Sequence, residues 1–412
     1  MKQTCRRVYY CTKFCCNTNL RSGMLRFWKG IAPVGSFLLV VACSPLQSLP
    51  QFSLLTGNRC INCHVNVQGG GLRNDLGWYA MESVGILQYE DIGLGALRPV
   101  FSTNTFAGDR LTVGIDFRLQ SSRSLRDTSS ERRLFPMQGA FYAAYRPFDW
   151  MQLEGTYNLG RRVYAYAGQQ SWSGSVAVQP SLDYPQLRVG FFQPSIGYRF
   201  DDHTMLIRRI PAGSQDYLFA PNWAEWGAEL NYYRFEWLTA TLGVSSLSSL
   251  AGATLTDATG AERPLLREPS KPAILGRLLL SPRLFRERLT LNIGSSTLQQ
   301  GDFSLWNVFG GIGYADVASV IFETMQQTTP GVRTIKATSA ELMLHPAEPI
   351  YVYVRGEYGE TLANGVSMRQ EQYLIGAQIF VLPFVELRPE YRIIDLPLYR
   401  LNRWTVQLHV FY

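Results

Sequence analysis

An all-β fold, a transmembrane antiparallel β-barrel of about sixteen strands preceded by a small cysteine-bearing segment, follows from three features of this 412-residue chain. From about residue 99 onward its apolar residues recur with period two and show no long stripe of period 3.6. Its connections alternate between short turns and longer polar stretches, and its last residue is aromatic.

The alternation is visible strand by strand. In 111–120 the odd positions read Leu, Val, Ile, Phe, Leu and the even ones Thr, Gly, Asp, Arg, Gln. In 151–159 Gln152, Glu154, Thr156 and Asn158 share the polar side. Glu386, Arg388, Glu390 and Arg392 fall on one face of a single strand, opposite Val385, Leu387 and Tyr391. Four charges in alternate positions are costly in a packed core and suit a water-filled lumen. The final strand sets Trp404, Val406, Leu408, Val410 and Tyr412 against Arg403, Thr405, Gln407 and His409.

Short turns are expected near 147–150, 181–185, 234–237, 282–287, 315–318, 345–349 and 382–384. Longer polar connections are expected at 124–134, 166–173, 198–223, 250–271, 298–303, 328–334, 361–369 and 396–402. Short periplasmic turns and longer outer loops give about sixteen strands with both barrel ends on the periplasmic side; fourteen and eighteen are the neighbouring even counts. A soluble sandwich or propeller would hide one apolar face in a core, whereas here both faces repeat over some 300 residues, on the order of a whole barrel.

The first residues read as a leader. Met24 offers a second start, followed by Arg26 and Lys29, an apolar run from Ile31 to Val41 and then small residues. Val40-Val41-Ala42 before Cys43 also allows a lipidated cysteine. Seven of the 39 Lys and Arg precede residue 44 with no acid among them, so 39 − 7 = 32 basic residues face 32 acidic ones. The exported chain is neutral, which removes the support for a nucleic-acid partner. The division is 1–47 leader, 48–98 cysteine-bearing segment and 99–412 barrel, in the outer-membrane lipid bilayer of a Gram-negative cell.

Behind the leader only Cys60 and Cys63 remain as free chemistry, in Cys60-Ile61-Asn62-Cys63-His64. Such a pentapeptide lets two thiols form thioethers with haem vinyl groups while the histidine on the same turn reaches the iron. A thioredoxin-like dithiol needs a βαβ context, zinc needs further ligands nearby, and a simple disulfide has no use for His64. The reading is therefore one covalent haem c held by Cys60, Cys63 and His64. Met81 and His409 are candidates for the second axial position, with a core methionine and a pore-lining histidine as their alternatives. Gly69-Gly70-Gly71 reads as a close approach to the haem edge or a flexible turn. His203 and His345 lie in connections.

A segment of about fifty residues is too small to bury a core alone, so it leans on the barrel and acts as a plug. The connection 198–223, with Asp201, Asp202, Arg208 and Arg209, is either a solvated loop or one that folds inward to narrow the pore.

With this order of parts the chain resembles the fused outer-membrane cytochrome-porins, in which one c-type haem motif precedes a single-chain barrel. Thr56-Gly57 ahead of Cys60 is similar to their lead-in, and Cys60, Cys63 and His64 match their haem motif. The resemblance implies an outer-membrane electron conduit, with iron(II) oxidation as the activity of the best-studied members, a periplasmic electron carrier such as a cytochrome on one side and an extracellular donor or acceptor on the other. A passive porin or transporter with an N-terminal plug or cytochrome-docking segment, and a structural barrel with a disulfide, are the competing readings.

Overall fold

In the computed structural model the described residues are 50–97, 101–126, 129–159, 170–198, 205–208, 222–250, 254–256, 262–264, 266–363 and 365–412. The leader, Cys43, His203, Asp201, Asp202 and Arg209 lie outside them.

Within the bilayer no water is present to satisfy backbone groups, so strands that cross it must close on themselves. Sixteen strands do so among the described residues: β1 (Leu111–Arg126), β2 (Ser129–Phe148), β3 (Met151–Asn158), β4 (Trp172–Val178), β5 (Gln186–Phe192), β6 (Glu225–Tyr232), β7 (Leu238–Ser245) and β8 (Ala273–Leu280), then β9 (Leu289–Gln300), β10 (Phe303–Tyr314), β11 (Ala318–Thr329), β12 (Arg333–Ala347), β13 (Ile350–Ala363), β14 (Val366–Leu382), β15 (Val385–Leu396) and β16 (Tyr399–Phe411). Each pairs antiparallel with its sequence neighbours, and β1 closes the ring on β16 from Asp116↔Phe411 to Leu125↔Asn402.

The period-two pattern sets the two faces. Along β9, Thr290, Asn292, Ser296, Leu298 and Gln300 turn inward and are buried, while Ile293 stands outside at 52 % exposure. Trp172, Trp226 and Trp404 also face outward, as lipid-facing aromatics do. The charged face of β15 points inward as expected, with a difference. Glu386, Arg388, Glu390 and Arg392 are buried, and pairing takes the place of water: Arg388 lies 3.0 Å from Glu386, and Arg392 Nε donates to Glu390 at 2.8 Å.

The end carrying the chain's entry to β1 and its exit from β16 has the short turns, at 149–150, 179–185, 233–237, 281–288, 315–317, 348–349 and 383–384. At the other end the expected long connections 124–134, 298–303, 328–334, 361–369 and 396–402 are hairpin ends instead. Strands run through to turns at 301–302, 330–332 and 397–398, and β1 and β13 continue to Arg126 and Ala363 with β2 and β14 beginning at Ser129 and Val366. The polar composition of these stretches marks where strands leave the apolar band and enter water, where both faces are polar while the backbone ladder continues. Long connections remain between β3 and β4, β5 and β6, and β7 and β8.

One of these turns inward. Ser195 N and Oγ both donate to Glu229 at 2.9 Å, and Gly197 N donates to Ser296 Oγ at 3.0 Å. Ile196, Met205 and Ile207 pack on the inward faces of Leu275, Leu298, Leu305, Met325 and Ile335. An apolar cluster therefore fills the outer half of the lumen on this side.

The segment before β1 stoppers the short-turn end. It contains α1 (Pro50–Thr56), α2 (Cys60–Cys63) and α3 (Asp75–Glu82). Its contacts run round the mouth. Gln51 donates to Glu341 at 2.6 Å, Leu55 O accepts from Asp316 N at 3.0 Å and Arg59 donates to Tyr233 O at 3.0 Å. Gln68 donates to Thr241 at 3.0 Å, and Ile86 N donates to Phe380 O at 2.9 Å. Phe52, Leu54, Leu55, Trp78, Met81 and Val84 are all buried. At about 1.5–3 kcal/mol each, six such side chains contribute on the order of 10 kcal/mol before the entropy of ordering the segment is subtracted. Leu54 meets Tyr198 of the inward connection, Phe309 and Ile321, so plug and loop touch inside the lumen.

The wall is thinned to admit the plug: a Cβ at Gly313 would stand 2.1 Å from Leu54 O. Gly313→Leu is expected to leave the barrel heat-modifiable on gels while unseating the plug. Trypsin should then cut at Arg59 or Arg73 at least about tenfold faster than in the parent, the ratio expected for a docking loss of one to a few kcal/mol. Unchanged protection would disprove this docking.

Candidate functional site

Cys60 to Cys63 form one helical turn, with Arg59 extended at its start and His64 N donating to Cys60 O at 2.9 Å. The chain then doubles back: Val65 N donates to Leu72 O at 3.1 Å, and His64 bridges to Arg73. The return passes Gly69 directly under Cys60. A Cβ there would lie 2.9 Å from Cys60 Cβ, 3.3 Å from its Sγ and 3.7 Å from His64 Cδ2, so thiol and imidazole flank one spot that only glycine leaves open. With φ at +82°, Gly69 is also in the left-handed region. Gly69 thus lets the chain pass close to the Cys60–His64 turn itself.

Asn74 ties the turn to α3. It caps the helix by accepting from Gly77 N at 3.1 Å, and its Nδ2 reaches the carbonyls of Ile61, Asn62 and His64 at 3.3, 3.1 and 3.3 Å. The Cys-x-x-Cys-His spacing does not point to this residue. Its signal was the N-cap pattern, an asparagine just ahead of Asp75 and the apolar α3.

Cys60 and Cys63 are free thiols, and His64 is buried. Burial pushes the Cys63 thiol up to about 12, Cys60 adds to the rise and Arg73 opposes it. Burial also raises Cys60, against the pull of Arg277. A redox dithiol works through a lowered thiol pKa, so these shifts run against that reading. Among the described residues no three of His, Cys, Asp and Glu are grouped to hold a metal ion. The donor set fits a c-type haem: two reduced thiols on one turn, an imidazole beside the first, and a glycine where a side chain would intrude.

The candidates for the second axial position lie in other surroundings. Met81 belongs to the apolar seam between plug and wall, with Phe52, Trp78, Val84, Met343 and Tyr351, the core position named as its alternative. His409 faces the lumen from β16, with Nδ1 hydrogen-bonded to Glu386 at 2.9 Å and Nε2 3.2 Å from Asp116. His345 Nδ1 lies 2.8 Å from Asp316 O, and its ring stacks on Tyr351. Arg208, from the connection offered as inward-folding, is buried in the lumen and donates to Tyr198 O.

No protein-family model matches the chain, and no curated protein sequence matches it. Solved structures do. OprB of Pseudomonas putida matches with a TM-score of 0.50 at 10 % identity over 80 % of this chain and 99 % of that one. The outer-membrane channel DcaP of Acinetobacter baumannii gives 0.49 at 9 % over 73 % and 97 %, and an anion-selective porin from Comamonas acidovorans 0.47 at 12 % over 73 % and 99 %. At these identities the likeness carries the fold alone: a porin-like barrel of the Gram-negative outer membrane. It says nothing of the Cys60–His64 motif.

The raised thiols have a pH consequence. Burial favours the neutral thiol, so between the ordinary value of 9.0 and about 12 the folded chain keeps a proton that the unfolded chain gives up. Docking of the plug is fully supported below that window and weakens as pH rises through it. In protein made without haem maturation, maleimide labelling of Cys63 at pH 7.5 is expected to be at least about tenfold slower than for a free cysteine and to climb toward pH 12. Labelling at the free-thiol rate would contradict the burial.

Proposed function

We propose that this barrel is an electron conduit of the outer membrane, with one haem c held by Cys60 and Cys63 as thioethers and His64 as axial ligand. The observation that carries the reading is the joint position of Cys60 and His64 over Gly69, inside a plug seated in the periplasmic mouth. A haem bound there supplies a one-electron ferric/ferrous couple. The chain's own residues supply the rest. The two thiols fix the group covalently, Asn74 holds the turn that carries them, and the burial of Cys63, His64 and Trp78 excludes water, which tunes a potential as strongly as ligand identity does. A bilayer insulates, so a couple lodged in the barrel shortens the gap between a periplasmic carrier and a donor or acceptor outside.

The barrel taken by itself supports a second reading, a passive channel whose N-terminal segment is a plug or a docking site for a periplasmic cytochrome. Its sixteen strands, charged inner face and inward connection are those of a porin-like pore.

A haem stain on a denaturing gel of the outer-membrane fraction, with a pyridine haemochrome spectrum of the same band, separates the two. The conduit requires a haem-positive band with a c-type spectrum in the parent. It also requires loss of that haem, with the barrel still heat-modifiable, in Cys60→Ala/Cys63→Ala. A folded parent without haem leaves the passive channel, and steady conductance in planar bilayers would then establish it.

A further inference from the structure

The lumen stores its arginines beside acids. Arg118 lies 3.0 Å from Asp116, Arg188 3.1 Å from Glu154, Arg355 2.6 Å from Glu357 and Arg388 3.0 Å from Glu386. Arg277 of β8 departs from this pattern. It is buried, at 7 % exposure, yet its contacts are Nε donating to Gly197 O at 3.2 Å and its guanidinium 4.9 Å from the centre of the Phe309 ring. Among the described residues no carboxylate lies within ion-pair distance of it. Glu229 and Glu323 are near enough to feel its charge, but both are held by other groups. Glu229 accepts from Ser195 N and Oγ and interacts more strongly with Arg188; Glu323 accepts from Asn307 at 2.5 Å and interacts more strongly with Arg208.

A buried cation is ordinarily paired, because burial strips the water that stabilised it. The position of Arg277 says what could pair with it. Gly197-Tyr198 of the inward connection spans the gap from Arg277 to the plug, since Tyr198 packs on the Phe309 ring that Arg277 also covers, and both Tyr198 and Phe309 touch Leu54 of α1. On the plug, Cys60 lies close enough to Arg277 for their charges to act on each other. The free face of the guanidinium therefore belongs to the junction of plug, loop and wall beside Cys60.

We propose that Arg277 is an anion site, the counter-charge for a carboxylate at that junction, which a guanidinium can take with two parallel hydrogen bonds. Resting on the conduit reading, the carboxylate is a haem propionate; without it, the same site takes a small carboxylate solute in the lumen.

The test uses full-length protein purified from outer membranes: parent, Arg277→Met and Arg277→Lys, each checked for heat-modifiable migration. Methionine fills the space of the arginine stem without an unpaired charge, so the neutral variant is expected to fold. Haem content is read first. If the parent carries haem, removing a cation beside a propionate favours the ferric state, so Arg277→Met is expected to lower the midpoint potential in a spectroelectrochemical titration and Arg277→Lys to recover most of the shift. An unchanged potential in Arg277→Met overturns the proposal while the conduit stands. If the parent carries no haem, the conduit falls, and succinate is titrated calorimetrically against parent and variants. Binding that weakens at least tenfold in Arg277→Met and returns in Arg277→Lys supports the site with a soluble carboxylate. Equal binding in all three, or none to the parent, overturns it. Should Arg277→Met not fold, Arg277→Lys is read against the parent: a potential or succinate affinity close to the parent's supports a charge-based site, and a tenfold or greater loss of succinate affinity, or an equally large fall of the potential, overturns it.

Discussion

Every later feature of this molecule depends on the closure of β1 on β16. A strand in lipid cannot leave its amides unpaired, and the ladder from Asp116↔Phe411 to Leu125↔Asn402 removes the last two edges. Closure has an unavoidable side effect. With side chains alternating, half of each strand must face a lumen, and that lumen needs contents. In a wide aqueous pore the content is water. Here the periplasmic mouth receives residues 50–97 and the outer half receives the connection after β5, so the inward residues of β9 to β15 are largely buried.

Burial changes what those residues must do. Asp116, Arg118, Glu386, Arg388 and His409 lie on three adjacent strands, and none could stand buried alone without losing several kcal/mol to desolvation. Their register brings them together. Glu386 pairs across the ladder with His409, which in turn pairs with Arg118, so acid, base and imidazole alternate in one row. The same row accounts for the environment of His409, whose ring lies between the carboxylates of Glu386 and Asp116.

The sequence carried the strands, their inward and outward faces and the strand count, because period-two alternation is a local signal that survives in each segment. It marked Cys60, Cys63 and His64 by their spacing, and the fold sets all three on one turn of the plug. It misjudged the outer hairpin ends, since a polar strand in water and a polar loop have the same composition and differ only in a backbone ladder. Met81 shows the same limit at the site: a thioether seventeen positions after a histidine, by the count of the chain, reads as a ligand or as core, and Trp78 on the preceding turn of α3 directs it to the wall. Asn74 and Arg277 were illegible for a deeper reason. The first acts through carbonyls of a turn ten to thirteen residues away, and the second stands out only when its neighbours' pairings are known.

The plug illustrates how a short segment can be ordered without a core of its own. Trp78, Phe52 and Met81 do not pack chiefly on one another's segment; they pack on Phe384, Tyr351 and Phe411, residues of the barrel's short-turn rim and last strand. Since Phe411 and its neighbours on β16 reach their places only when β16 meets β1, the surface that receives Trp78 does not exist before closure. The seat of the plug therefore belongs to the finished barrel, whose rim and last strand supply the rings that Trp78 and Phe52 meet. With the plug seated against that surface, Cys63 is buried and Cys60 half-buried.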